Sequence, residues 1–92
     1  MSLDKNDVVT VMTAFGEYVG KLGEVSAETV ELSDPRMIVQ TEQGMGFAHG
    51  ICATGKADVS SVTINQSQVV FVTEVNDNIE KEYRKVTSGI IL

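Results

Sequence analysis

The sequence predicts a mostly β protein that forms one domain, with five short strands and a short C-terminal helix. Valine dominates its apolar residues, aromatic residues are few and tryptophan is absent, which favours strands. The apolar residues also occur in short alternating runs separated by glycine and polar residues, as in strands. Because 92 residues suit a single domain, we predict one domain over 1–92, with the strands in 8–75 and a helix and tail in 76–92.

The first half of the chain contains three predicted strands. Gly16 separates the first two, because glycine weakens a strand. The third strand is predicted to stop at Pro35, since proline cannot donate a hydrogen bond to a ladder. Residues 37–41 are compatible with a continuation after a bulge, and the sequence leaves their register open. The predicted strands span 8–15, 17–25 and 29–33.

The second half contains a long predicted loop followed by two strands. Residues 43–58 are glycine-rich and have no clear apolar period, so they are predicted to form the longest loop. Residues 59–64 and 69–75 are apolar and β-branched, and are predicted to be the fourth and fifth strands. Four polar residues, Asn65 to Gln68, join these two strands where glycine or proline is more usual.

The last predicted element is a helix over 78–88. Asp77 and Glu80 have the spacing of a capping box, Glu80 and Arg84 form a favourable i,i+4 pair, and Gly89 is a suitable stop. The apolar residues that share one face of this helix are Ile79, Tyr83 and Val86.

Charge and composition restrict the function and the compartment. A net charge of −6 disfavours a protein that coats nucleic-acid phosphates, which requires a basic face. The single cysteine, Cys52, cannot form an intrachain disulfide, which predicts a reducing compartment and a small buried side chain. No apolar run of about 18 residues and no signal pattern occur, so a cytoplasmic location is expected.

Two motifs in the long loop point weakly to chemistry. Residues 50–57 match the phosphate-binding P-loop except at Ala57, where serine or threonine would hold Mg²⁺, and no helix is predicted to follow. His49 and Cys52 have a metal-like spacing, but two ligands do not make a zinc site. We therefore predict a protein that is not an enzyme, with no catalytic residue, no metal and no cofactor. ATP hydrolysis at 50–57 is a minor alternative.

Two segments carry a resemblance to a known family. Residues 64–72 align, position by position and without a gap, with a motif of the form Ile-Arg-Gly-x-Asn-Ile-x-apolar-Ile. Upstream, Gly16, residues 19–22 and Val25 match a first motif that contains "G-x-L". On these residues the chain resembles the Sm/LSm family of ring-forming RNA-binding proteins, which includes Hfq. A fainter resemblance to Sm-like proteins of bacteriophages rests on Gly-Glu-Tyr-Val-Gly (16–20) and Asp-Pro-Arg (34–36).

The resemblance implies a small, strongly bent, five-stranded antiparallel barrel. It also implies a homo-oligomeric ring, in which the fourth strand of one subunit pairs with the fifth strand of the next. The residues give a separate reason for this assembly, because residues 62–64 and 69–75 would be apolar open edges in a monomer. Closure predicts a ring of about five to seven subunits.

The resemblance also implies where RNA would bind. In the family, bases lie between the loop joining strands two and three and the loop joining strands four and five. Here Asn65 and Gln66 replace the arginine and glycine of the second motif, and the first loop carries an acidic residue. Amides can still recognise base edges of single strands. The candidate base contacts are Ser26, Thr29, Asn65, Gln66, Ser67 and Gln68, and the candidate phosphate contacts are Lys21, Arg36 and Lys56.

Two functional hypotheses follow from the sequence. The first is a non-enzymatic ring, in the cytoplasm of a bacterium or of an infected host cell, that binds single-stranded RNA or DNA through its loops. The second is a scaffold ring that binds proteins and no nucleic acid. The acidity of the chain favours the scaffold, and the amide-rich turn favours nucleic-acid binding.

Overall fold

A computed structural model describes residues 3–48, 50–52, 54–57 and 59–88. They form a predominantly antiparallel β structure with a helix at the C-terminal end, which confirms the predicted class. No helix in these residues is long and apolar enough to cross a membrane. The elements are β1 (Val8–Thr13), β2 (Glu17–Val25), β3 (Thr29–Thr41), β4 (Gly44–Phe47), β5 (Ser61–Asn65), a 3₁₀ turn (Gln66–Gln68), β6 (Val69–Glu74) and α1 (Asp77–Thr87).

The strands form one sheet, in which β1 pairs with β2 and β6, and β3 pairs with β2, β4 and β5. The main path therefore runs β6-β1-β2-β3-β5, with β4 paired to the far part of β3. In the described residues, β5 and β6 pair with no strand other than β3 and β1. They leave two open edges at the ends of this path, joined by a three-residue turn.

β3 continues through the proline that was predicted to stop it. The pairing of β2 with β3 shifts register opposite Gly20, so that Asp34 and Pro35 form a bulge in the ladder. Pro35 is buried there, and Asp34 adopts a φ of 47°, in the left-handed region. The missing proline donor is tolerated because the bulge leaves it outside the regular pairing. Resumption of the strand at 37–41 is thus correct, and interruption at Pro35 is wrong.

The predicted long loop contains a strand of its own. β4 lies within residues 43–58 and pairs with the end of β3. The glycines of β4 masked this strand in the sequence, because glycine is disfavoured in strands. Residues 50–60, where described, form turns and bends that lead to β5 and contain no helix, unlike a P-loop. Cys52 is exposed, so its predicted burial is wrong, and His49 lies outside the described residues.

The sheet packs apolar residues on both faces. The inner face buries five residues against one another: Val9, Val11, Leu22, Val30 and Leu32. The outer face packs against α1, where Val8 and Val19 surround the fully buried ring of Tyr83. The helix thus packs on the outer face, and the inner face carries the separate five-residue cluster.

α1 agrees with the prediction in position but differs in its cap. The N-cap is Asn76, whose side chain accepts a hydrogen bond from Ile79 N at 2.9 Å, so the Asp77 capping box is wrong by one residue. The predicted Glu80–Arg84 pair is present, at 2.7 Å. Ile79 and Tyr83 pack on the sheet, but Val86 of the same predicted face is exposed. Gly89 lies outside the described residues.

Candidate nucleic-acid interface

The turn between β5 and β6 lies against the loop between β2 and β3, as the predicted base site requires. Gln66 N donates to Glu28 O at 2.9 Å, and the Gln66 side-chain Nε2 donates to Ser26 O at 3.1 Å. The side-chain bond joins residues 40 positions apart in sequence. The structure therefore brings six of the nine predicted contacts into two adjacent segments: Ser26, Thr29, Asn65, Gln66, Ser67 and Gln68.

Three of these six side chains are occupied by the fold. Ser26 Oγ accepts from Glu28 N at 3.2 Å and from Thr29 N at 3.0 Å, and it also lies 3.0 Å from Thr29 Oγ1. Gln66 uses its amide to hold the two segments together. These groups shape the site, because a ligand could contact them only by displacing their present partners.

The other three side chains are free to bind a ligand. Asn65, Ser67 and Gln68 are exposed, and in the described residues their side chains make no hydrogen bond. The backbone of Gln68 is nevertheless fixed, because its carbonyl accepts from Ala14 N at 3.0 Å. Two amides and one hydroxyl are therefore presented from an anchored turn, which suits them to hydrogen-bond the edges of an unpaired base.

The three residues predicted to contact phosphate are not part of the two segments that form the amide turn and its adjacent loop. Lys21 lies within β2, and the usual rise per residue of a strand places it about 13 Å from the end of β2 that leads into the loop. Its side-chain Nζ lies 3.6 Å from Asp34 Oδ2. Arg36 pairs with Val19 on the outer face and donates to Pro35 O at 3.0 Å. Lys56 is exposed and makes no ion pair within the described residues.

Acidic groups flank the turn instead of cations. Glu28 is exposed in the first loop, and Glu31 accepts from Glu24 N at 3.2 Å beside it. A cation beside these acidic groups, Lys5, is paired with Glu24; this hydrogen bond lowers the pKa of the Glu24 carboxyl and raises the pKa of Lys5. A phosphate at this loop would meet more negative than positive charge, so any nucleic-acid contact here depends on the bases.

An apolar pocket beside the turn adds two aromatic rings that the sequence analysis did not select. The pocket encloses about 570 Å³ of space open to solvent and includes Asn65 and Gln68 in its wall. Phe15 is 82% exposed at its rim, because Thr13 Oγ1 donates to Gly16 O and accepts from Phe15 N in a tight turn. The remaining lining residues are Thr13, Tyr18, Ile51, Val62, Thr63 and Ile64.

Phe15 differs from its sequence-based assignment. The first strand was predicted to span 8–15 and so to include it, but β1 ends two residues earlier, at Thr13. The available signal was the adjacent Gly16, since an aromatic residue next to a strand-ending glycine lies in the turn and not in the ladder.

The chain matches no protein-family model and no curated protein at a significant level. In the described residues, no group of three or more histidine, cysteine or carboxylate side chains could hold a metal ion.

Proposed function

We propose that the chain is the subunit of a homo-oligomeric, Sm-like ring of about five to seven copies. In this ring β5 of one copy pairs with β6 of the next, and the bent sheet of each copy closes into a small barrel. The open edges of β5 and β6, at opposite ends of one sheet, carry the proposal. Because the two edges belong to different strands, pairing them is head-to-tail, and such a contact forms a ring when the rotation between copies closes.

The hydrogen-bonding groups of β5 are suited to this pairing. Gln66 N and Asp34 N each donate a hydrogen bond across the β3–β5 ladder. These two bonds fix which residues of β5 are hydrogen-bonded to β3 and which are not. Because paired and unpaired residues alternate in an antiparallel ladder, the N–H and C=O of Thr63 point away from β3. These groups support the proposal, since a neighbouring strand would satisfy them.

The apolar side chains at the other edge also support assembly. Val70 and Phe71 of β6 are exposed in the single chain, although β-branched and aromatic residues are costly to leave in water. The pairing of β1 with β6 skips Val70 in a bulge, which turns this side chain out of the regular ladder. A neighbouring β5, with half-buried Val62 and Ile64, would cover this surface.

Replacing Thr63 with proline is expected to dissociate the ring. The substitution removes one outward N–H without removing a hydrogen bond to β3, which an edge strand tolerates. Light scattering coupled to size exclusion should change from an oligomeric mass to that of one chain. The control, Thr63→Val, keeps the N–H and should remain oligomeric. A wild-type protein that elutes as a monomer at high concentration would remove the proposal.

We propose single-stranded RNA or DNA as the ligand of this ring. The supporting observation is the combination of free amides at Asn65 and Gln68 with the ring of Phe15, which allows base stacking and base-edge hydrogen bonds. Around a ring, the site would be repeated once per subunit, so weak single contacts would add up to useful affinity. A scaffold that binds only proteins is the alternative, and the acidic loop favours it.

Oligonucleotide titration distinguishes the two. Labelled U-rich and A-rich strands at low and moderate salt should bind, and Asn65→Ala with Gln68→Ala should weaken binding by about tenfold, from two lost hydrogen bonds of about 0.7 kcal/mol each. Ser33→Ala, on a different part of the sheet, is the matched control. Absence of binding at low salt, where phosphate attraction is strongest, would leave the scaffold function.

A further inference from the structure

A second open strand edge, separate from the proposed ring contacts, lies on β4. In the described residues β4 pairs only with β3. Ala48 N donates to Met37 O at 2.8 Å, which makes Gly46 one of the residues that share hydrogen bonds with β3. By the alternation of the ladder, the N–H and C=O of Met45 and Phe47 point away from β3. A strand that added to this edge would bind through these two residues.

An apolar groove runs beside the same edge, between β4 and α1. It encloses about 390 Å³ of space open to solvent. Met45 on its wall is 52% exposed, and Val86, one turn beyond Glu82 on the helix, is 48% exposed. The lining residues are Ile38, Met45, Gly46, Phe47, Ile79 and Glu82.

A single added strand could pair with the β4 edge and fill the groove at the same time. The side chains of Met45 and Phe47 lie on the α1 side of the hairpin, because both line the groove with Ile79. In an antiparallel addition, residues that share hydrogen bonds place their side chains on the same face. Alternate side chains of an added strand would therefore enter the groove, while its backbone pairs with Met45 and Phe47. This is strand addition with a specificity pocket.

Charge indicates the chemistry of the occupant. Glu82 lies at the groove with its side chain 59% exposed, and Glu42 lies in the turn that begins β4. The cation that contacts Glu82 is Lys85, at 3.5 Å. A second copy would bring the same carboxylates and a net charge of −6 to this edge, so like charges oppose it. A basic segment is complementary.

We propose that the β4 edge and its groove bind an extended peptide segment of another protein, with alternating apolar side chains flanked by lysine or arginine. The segment adds as an antiparallel strand to β4, its apolar side chains fill the groove, and its basic residues face Glu82 and Glu42. This site is independent of β5, β6 and the amide turn, so it does not rest on ring formation.

Synthetic peptides test the proposal with the full chain. The probe is fluorescein-labelled Lys-Val-Thr-Val-Thr-Val-Lys, measured by anisotropy. We expect this peptide to bind. We expect a version with N-methylated valines to lose binding, because methylation removes the N–H groups that would donate to β4 and leaves the valine side chains unchanged. A glutamate-flanked version should bind at least about fivefold more weakly, from about 1 kcal/mol of charge interaction. Equal binding of the N-methylated peptide would overturn the proposal.

Two protein variants locate the site. Met45→Pro removes an outward N–H and keeps the pairing with β3, so it should abolish binding, while Met45→Leu should preserve it. Glu82→Lys reverses an exposed charge and removes its contact with Lys85, and it should reverse the preference between lysine-flanked and glutamate-flanked peptides. Binding that survives both Met45→Pro and Glu82→Lys would overturn the site. A failure of all peptides, with self-association that Met45→Pro removes, would assign the edge to a second copy and overturn the proposal.

Discussion

Replacing Gly20 with valine is expected to lower the free energy of unfolding by about 3 kcal/mol, the upper part of the range for overpacking a core. A Cβ at this position would lie 2.6 Å from Leu32 Cγ and 2.9 Å from Ser33 O. Neither atom can move easily, because Leu32 is fully buried and the Ser33 carbonyl belongs to the backbone of β3 beside the bulge. Valine would also add two methyl groups in the same space.

Urea unfolding followed by far-UV circular dichroism measures this loss. The matched control is Gly46→Ala in β4, where a Cβ meets no atom within 4 Å and no loss is expected beyond about 0.5 kcal/mol. Both proteins must be compared at one concentration, because the proposed assembly would add to the apparent stability. A Gly20→Val protein as stable as Gly46→Ala would show that β2 and β3 are not in close contact at this point.

Replacing Tyr83 with alanine is expected to cost about 4 kcal/mol, as for other large buried aromatic residues. The ring is fully buried between Val8 and Val19, and packs edge-on against Phe47 with centroids 6.3 Å apart. Its hydroxyl donates to Asp34 O at 2.8 Å and lies 3.3 Å from Ser33 O. Tyr83 thus attaches α1 to the bulge of β3.

Tyr83→Phe separates the hydroxyl from the ring. The variant keeps the packing but leaves two backbone carbonyls without this donor, for an expected loss of about 1–3 kcal/mol. In urea unfolding, Tyr83→Ala should have the lowest free energy of unfolding, Tyr83→Phe an intermediate value and the native protein the highest. Equal stability of Tyr83→Phe and the native protein would show that the bonds to Asp34 and Ser33 contribute nothing.

The pH dependence of stability gives an independent measurement of the same hydroxyl. Burial, followed by the negative charge of Asp34, raises the pKa of Tyr83 to about 12, and Arg36 and Arg84 oppose this shift. Below pH 10 the phenol is protonated in both states, so its contribution is fully present. Between pH 10 and 12 only the unfolded chain loses the proton, and stability falls. Tyr83→Phe should lose less stability than the native protein over this window.

The mostly β class and most elements were predictable from local sequence. Strands β1, β2, β5 and β6 and the helix follow from apolar alternation and from a polar start to the helix, which are properties of neighbouring residues. β4 was missed because two of its four residues are glycines, and a strand of this kind is stabilised by its partner β3 more than by propensity. Pro35 was misjudged because a bulge depends on the opposite strand.

The candidate site divides in the same way. Its amide turn was identified from residues 65–68, since polar residues between two apolar runs are a local pattern. The occupation of Ser26 and Gln66 by hydrogen bonds could not be predicted, because these bonds join segments distant in sequence. For the same reason, Phe15 was not selected, and the contacts of Lys21 with Asp34 and of Arg36 with Pro35 O could not be predicted.

The sequence by itself determined the period of each element, the acidity of the chain and the polar character of the turn, because these depend on residue type and spacing alone. The tertiary structure decided which side chains remain free to act. Close packing at Gly20, the attachment of α1 through Tyr83, and the open edges of β4, β5 and β6 all arise where distant segments meet. A hydrogen bond or a contact across the sheet removes a side chain from solvent, and no local pattern records that loss.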